Sequence, residues 1–203
     1  MLNNEKFTPA PRNEFLRQLN NVEAGQKITL PSIGQYPKHY GEGYQELSFF
    51  ITEQMVEMWS LLSSDSDRPI RRVLSGPTGV GKSYLALFLA AKAYAEGWPL
   101  LYVSDANELA LDSDSEIQTA ICRRFLALNR DILTGADFAT MTFSHPIEIN
   151  DVLSCAAGKI MHELQQPNTK SLLVIDEHGV LFTQNPPTPV QHVVLNQLMQ
   201  LNA

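Results

Sequence analysis

Cysteine, positive charge and long apolar runs are all scarce in this chain, and each scarcity closes off a class of function. Only Cys122 and Cys155 are present, each in a helix-like segment, and no cysteine or histidine stands beside either at metal-ligand spacing. They read as two reduced core thiols of a reducing compartment, which argues against a disulfide scaffold. Lysines and arginines number 15 against 22 aspartates and glutamates, a formal charge of −7. That balance argues against a nucleic-acid surface covering the molecule. Arg71–Arg72 and Arg123–Arg124 are pairs, not patches. No stretch approaches the roughly 18 to 20 apolar residues of a membrane span, so no membrane role is expected. Residues 1–20 are polar and mixed in charge, unlike a secretory signal, and Glu5 and Glu14 speak against an acid-poor transit peptide. A cytoplasmic, intracellular place is expected, with nucleus and mitochondrion left open.

What is present is an ordinary globular share of apolar residues, 44% of 203, enough to bury one sizeable core. Residues 1–43 are rich in Asn, Gln, Pro and Gly without a sustained period, and read as an extended arm with little structure of its own. Residues 44–203 read as the core. Met55, Val56, Trp59 and Leu62 fall on one helical face. A short apolar strand is expected at 72–75, then a helix from Lys82 to about Glu96 that is apolar on nearly every side, with Gly97 stopping it. PLLYVS at 99–104 reads as a second strand. The acids of 112–116 are placed to cap a helix over 115–129 rather than to form a metal loop. A further helix begins at Asp151 with its apolar stripe toward the core, and SLLVIDE at 171–177 is a third strand. Thr188, Pro189 and Gln191 signal the start of a closing helix over 189–201. Strands alternating with helices predict an α/β sandwich of three layers around a parallel sheet.

The residues that carry chemistry begin at Gly76. Gly76-Pro77-Thr78-Gly79-Val80-Gly81-Lys82-Ser83 fits G-x-x-x-x-G-K-[ST] at every fixed position. Glycines let the backbone curl so that N–H groups point inward at phosphate oxygens, and the helix that follows adds its positive end. Lys82 supplies a mobile charge for the outer phosphates, and Ser83 offers a hydroxyl to Mg²⁺. With Tyr84 in the first helical turn, residues 76–84 are the candidate nucleotide-contacting set.

Asp176 and Glu177 end the third apolar strand. Asp176 is placed to hold the Mg²⁺ shell from the side opposite Ser83, and Glu177 to orient and deprotonate an attacking water. Glu177 and Lys82 are thus the candidate catalytic residues, and Ser83 and Asp176 the candidate metal ligands. His178 could sense the terminal phosphate or pack in a turn, and Asn107 and Glu108 could face the same site. Arg123, Arg124 and Arg130 read as solvated, which leaves no arginine to assign as a finger. No Asn-Lys-x-Asp segment of the kind that reads guanine occurs, which favours ATP over GTP.

GPTGVGKS and LLVIDE together resemble the P-loop NTPases of the AAA type with a catalytic glutamate, over residues 72–201. FFITEQMVEMWSLL, EGWPLLYVSDANEL and DEHGVLF look like the ATPase modules of Crinkler-type and retrotransposon-hot-spot-type proteins. The segment around Gly97, Trp98 and Leu101 to Ala106 is also similar to the mitochondrial ribosomal protein of the death-associated nucleotide-binding family. The resemblance implies Gly76, Gly79, Gly81, Lys82 and Ser83 at phosphates and metal, Asp176 at metal and Glu177 at water. It also implies a strand, following Asp176 in sequence, that lies between the P-loop strand and the acidic strand and ends in a polar sensor. Only 27 residues follow Asp176 and they read as a loop and a helix, so a fragment or one module of a longer chain is expected. The leading function is Mg²⁺-dependent ATP hydrolysis that drives a conformational change in a protein partner or fused module. The alternatives are a nucleotide-dependent, ribosome-associated scaffold without turnover, or an inactive fragment.

Overall fold

Helix formation starts with local caps, and two of the described helices begin at a side-chain cap. The computed structural model describes residues 7–40, 48–65, 70, 72–109, 113–133, 160, 164, 170–177 and 179. Helix α1 spans Arg12–Leu19, followed by strands β1 (Lys27–Thr29) and β2 (Ser48–Phe50) and helix α2 (Glu53–Ser63). Thr52 caps α2 by accepting from the Met55 N–H at 3.3 Å. Helix α3 (Lys82–Ala95) leads to strand β3 (Leu100–Val103), a 3₁₀ turn at Ala106–Leu109, helix α4 (Asp114–Asn129) and strand β4 (Leu172–Ile175). At the start of α4, Ser113 accepts from the Glu116 N–H at 3.3 Å and donates to its carboxylate at 3.0 Å. This is a reciprocal capping box.

Strands β3 and β4 pair in parallel, with Leu100 opposite Leu172 and Val103 opposite Ile175. The chain is therefore α/β around a parallel pair. Alternation along the two strands sorts their side chains into two clusters. Leu100, Tyr102, Leu172 and Val174 pack with α3, whereas Leu101, Val103, Leu173 and Ile175 pack with Ile117, Ile121 and Phe125 of α4. Cys122 lies in the second cluster, and burial pushes its thiol up to about 11, consistent with an inert core thiol. Ile160 is also buried there. Cys155, His178, most of the helix expected from Asp151 and the closing helix over 189–201 lie outside the described residues.

The N-terminal segment departs from the expected extended arm. Phe15 and Leu19, one turn apart on α1, are fully buried against α3, as are Ile33 and, nearly, Leu30. Strand β1 pairs antiparallel with β2, Ile28 opposite Phe49, so the ladder crosses the expected boundary after residue 43. The physical reason is that α3, apolar all round, needs covering on the side away from the sheet, and two apolar anchors suffice to hold a short helix there. The expected strand at 72–75 also does not form. Residues 72–77 carry no regular structure, because a strand exists only by pairing and these residues have no ladder partner among the described ones.

Arg12 fastens this cover. Its guanidinium bonds the carbonyls of Tyr94 and Leu128 near the ends of α3 and α4, bridges Asp131 at 2.6 Å and lies 4.1 Å from the Tyr94 ring centre.

If α1 is part of the core, Phe15→Ala should lower stability by about 3 to 5 kcal/mol, read as a shifted urea midpoint of the single transition. An independent arm would leave that midpoint unchanged. Burial raises the Asp131 pKa, but the hydrogen bond and charge of Arg12 outweigh it and hold the carboxyl below its ordinary 3.8. A depressed carboxylate stabilises the fold above its unfolded pKa and loses that contribution as pH falls through the folded value. Asp131→Asn should therefore flatten the loss of thermal stability below about pH 4. An acid limb identical to that of the parent chain would exclude the contact as a contributor.

Candidate functional site

Three glycines give the loop of residues 76–81 its curl. Gly76, Gly79 and Gly81 have φ of +145°, +85° and +88°, a region where a side chain is penalised. A Cβ at Gly79 or Gly81 would meet nothing within 4 Å, so backbone conformation and not space demands glycine there. Gly81 hands over directly to α3, its carbonyl accepting from the Leu85 N–H at 2.9 Å. The loop is thus fixed to the end of a buried helix while residues 76–81 themselves are exposed.

Lys82 turns back into the loop. Its ammonium donates to the carbonyls of Gly76 at 3.0 Å and Pro77 at 2.8 Å, closing a ring of backbone around one cation. Ser83, next on the helix, is half-buried. At the other end of the site, Asp176 follows β4 and is tied to the sheet at both backbone atoms. Its N–H donates to Val103 at 2.9 Å and its carbonyl accepts from Ala106 at 3.0 Å. The Asp176 carboxylate accepts from the Glu177 N–H at 3.0 Å. Glu177 takes a φ of +56° and is exposed. A non-glycine residue held in that region stores of order 1 to 3 kcal/mol of strain, a cost met most often at functional positions.

The two motifs meet in space. A groove of about 350 Å³ is lined by β4, Asp176 and Glu177, by Ile70, Arg72, Val73 and Leu74, and by Ala86 and Leu89 of α3. Lys82 lines this groove. It also lines a second, larger cavity of about 920 Å³, bounded by Gly79, Val80, Gly81 and Tyr84 and by Tyr40, Phe50, Met58 and Leu61. Gly76, Pro77, Thr78 and Ser83 line neither, although the carbonyls of Gly76 and Pro77 hold Lys82.

Several expectations for flanking residues are corrected. Arg124 is not solvated: it is 3% exposed, ion-paired with Glu108 and set 5.0 Å from the Phe7 ring centre. Burial lowers its pKa while Glu108 opposes the change. Glu108 is engaged by that arginine, and the Asn107 amide donates to the Asp105 carboxylate at 2.6 Å. Neither Asn107 nor Glu108 lines the two cavities. Tyr40, by contrast, gave no signal in the sequence, since it lies in the segment read as an arm. It stacks on Tyr36 at 4.7 Å and meets Tyr84 at 5.4 Å. Burial, with the two neighbouring phenols, pushes its pKa up to about 12.

No cluster of three or more His, Cys, Asp or Glu side chains occurs among the described residues. A magnesium ion does not need one, since it keeps several waters and takes one or two protein oxygens plus phosphate. The Ser83 hydroxyl and the Asp176 carboxylate are hard donors of the right kind for that role.

The loop geometry makes its own prediction. Gly81→Ala should destabilise the fold by about 1 kcal/mol, the left-handed penalty less the smaller entropy of the unfolded chain. Chemical denaturation measures this, and a neutral or stabilising result would show that the loop does not hold its left-handed form in solution. Comparisons with family models, with curated proteins and with solved structures give no match, so the functional reading rests on the residues and their arrangement.

Proposed function

We propose that this chain binds Mg²⁺-ATP at the loop of residues 76–83 and hydrolyses it, in the manner of a P-loop NTPase with a three-layer sandwich. The observation that carries the reading is the shared groove, in which Lys82 lies with Asp176 and Glu177 although the two motifs are far apart in sequence. That juxtaposition is what phosphoryl transfer to water asks for, a cation for the outer phosphates facing carboxylates for metal and water. A further support is the position of the groove. Ile70, Arg72, Val73 and Leu74 line it together with β4 without pairing to β4, and the resemblance calls for an additional strand between those two segments.

The chemistry divides among the residues as follows. The phosphate chain replaces the carbonyls of Gly76 and Pro77 as the partner of Lys82, and the N–H groups of the loop and the first turn of α3 hold its oxygens. When bound, Mg²⁺ would neutralise charge on the outer phosphates, with Ser83 and Asp176 as its protein oxygens. Glu177 orients a water and accepts its proton as the water oxygen bonds to the γ-phosphorus. The bond from that phosphorus to the bridging oxygen breaks, releasing ADP and inorganic phosphate. The turnover is proposed to drive a change in a protein partner or fused module.

Two variants test this. Lys82→Ala should remove most of the rise in melting temperature produced by Mg²⁺-ATP. Glu177→Gln should keep that rise but lower phosphate release by at least about 100-fold, the usual weight of a general base. Binding that survives Lys82→Ala would sink the proposal. Binding with turnover that is negligible in the parent chain would favour a nucleotide-dependent scaffold.

A further inference from the structure

Among the described residues, five buried side-chain atoms have no hydrogen-bond partner: both amide atoms of Gln35, Gln118 Oε1, Arg124 Nε and the Tyr102 hydroxyl. A buried polar group left unpaired loses its hydration without replacement, so each one calls for a reason. Arg124 is held through its other nitrogens. Tyr102 differs from the rest in its place, on β3, which pairs with the strand that leads into Asp176.

The register sets Tyr102 and Asp176 on one face. Tyr102 lies opposite Val174, and the ladder runs on by one step, the Asp176 N–H donating to the Val103 carbonyl at 2.9 Å. Side chains alternate along a strand, so Asp176 shares the face of Tyr102 and Val174, the face that α3 covers. With strands about 4.8 Å apart and a rise of about 3.3 Å per residue, the two α-carbons stand about 8 Å apart. A tyrosine side chain spans most of that gap. The ring itself is fully buried. Burial raises the pKa of its phenol and the Asp176 carboxylate raises it further, so the hydroxyl keeps its proton and is available as a donor. An ionised carboxylate has about four acceptor sites, and the Glu177 N–H takes one of those on Asp176, at 3.0 Å.

We infer that Tyr102 is a positioning residue for Asp176: its hydroxyl donates to the Asp176 carboxylate when Mg²⁺-nucleotide binds, and fixes the orientation in which that carboxylate meets the metal. The inference rests on the proposed role of Asp176 as a metal ligand and adds the group that orients it. Carboxylates that hold a metal are themselves held by hydrogen bonds from the residues around them. An unpaired buried donor beside a carboxylate with acceptor sites to spare supplies that support from within the sheet.

Tyr102→Phe tests this, since it removes one oxygen and keeps the packing of the ring. Without ligand, the melting temperature of the variant should equal or exceed that of the parent, because an unpaired buried donor is lost. Calorimetry on the full chain, with Mg²⁺-ATP and with ATP in EDTA, then separates metal from phosphate. The variant should bind Mg²⁺-ATP about ten-fold or more weakly, the usual weight of such a supporting partner, and bind ATP in EDTA as the parent does. In an Asp176→Asn background the same substitution should have no further effect on Mg²⁺-ATP. A lower melting temperature in the unliganded variant, an unchanged affinity for Mg²⁺-ATP, equal losses with and without the metal, or an equal loss in both backgrounds would overturn the positioning role and leave the phosphate role of the loop intact. ATP in EDTA bound as tightly by Lys82→Ala as by the parent would overturn the phosphate reading, and this inference with it.

Discussion

The burial of α3 is the constraint on which the candidate site depends. Leu87, Phe88, Ala90, Ala91 and Ala93 are fully buried, and Ala86, Leu89, Tyr94 and Ala95 nearly so. A helix that is apolar all round must be covered all round. The parallel strands cover one side, and α1, α2, the β1–β2 ladder, Leu30, Ile33 and Leu128 of α4 belong to the same cluster. Only the first turn emerges, and it carries Lys82, Ser83 and Tyr84. The loop of residues 76–81 is therefore attached to an immobilised stem, which allows a string of exposed residues to present the Gly76 and Pro77 carbonyls to one ammonium. Precision at the loop is supplied by packing elsewhere, including packing by residues that precede it by more than half the distance to the N-terminus.

Polar groups close this core where apolar ones cannot. Arg12 meets carbonyls at the C-terminal ends of α3 and α4, where partial negative charge collects and a cation is favoured. Asn129, fully buried, does the equivalent for the sheet. Its amide oxygen accepts from the Leu100 N–H at 2.8 Å and its nitrogen donates to the Leu100 carbonyl at 2.7 Å and the Phe125 carbonyl at 2.6 Å. One side chain thus occupies the place of a missing strand neighbour at the start of β3, leaving no orphaned amide there.

How far the sequence foretold this follows from how local each signal is. The glycine loop of residues 76–81, α2, α3, β3, α4 and β4 were legible because each is written in contiguous residues: a motif, a periodic stripe, or an apolar run with a cap. Helix α1 was not, since its whole claim on the core is Phe15 and Leu19 while Leu16 stays exposed. Two anchors cannot be told from chance until the helix they cover is known. The absence of a strand at 72–75 has the same origin in reverse. Apolar propensity is local, but a ladder partner is not, and the segment faces β4 across a groove instead of pairing with it. Arg124 was misread because an arginine beside an arginine on a helix gives no hint that Glu108, before the helix begins, stands ready to pair with one of them.

The position of Lys82 shows how the pieces become one site. Lys82 lines both the large cavity and the acid-edged groove, and its ammonium is held by two neutral carbonyls of its own loop. An ammonium bonded to a neutral carbonyl already makes a charge-assisted hydrogen bond, and an ionised acceptor adds charge–charge attraction to it. An anionic oxygen arriving at the loop therefore improves the partner of the lysine. It also frees the carbonyls of Gly76 and Pro77 to exposed positions, where water can serve them. The exchange is favourable on both sides only because the loop is exposed and its stem is not. A buried loop would strand its carbonyls, and a loose stem would lose its ordered ring. The contrast between the exposed residues 76–81 and the core beneath them is thus the physical condition that the proposed anion binding would need, and it was set when α3 was covered by a segment that reads, on its own, as an arm.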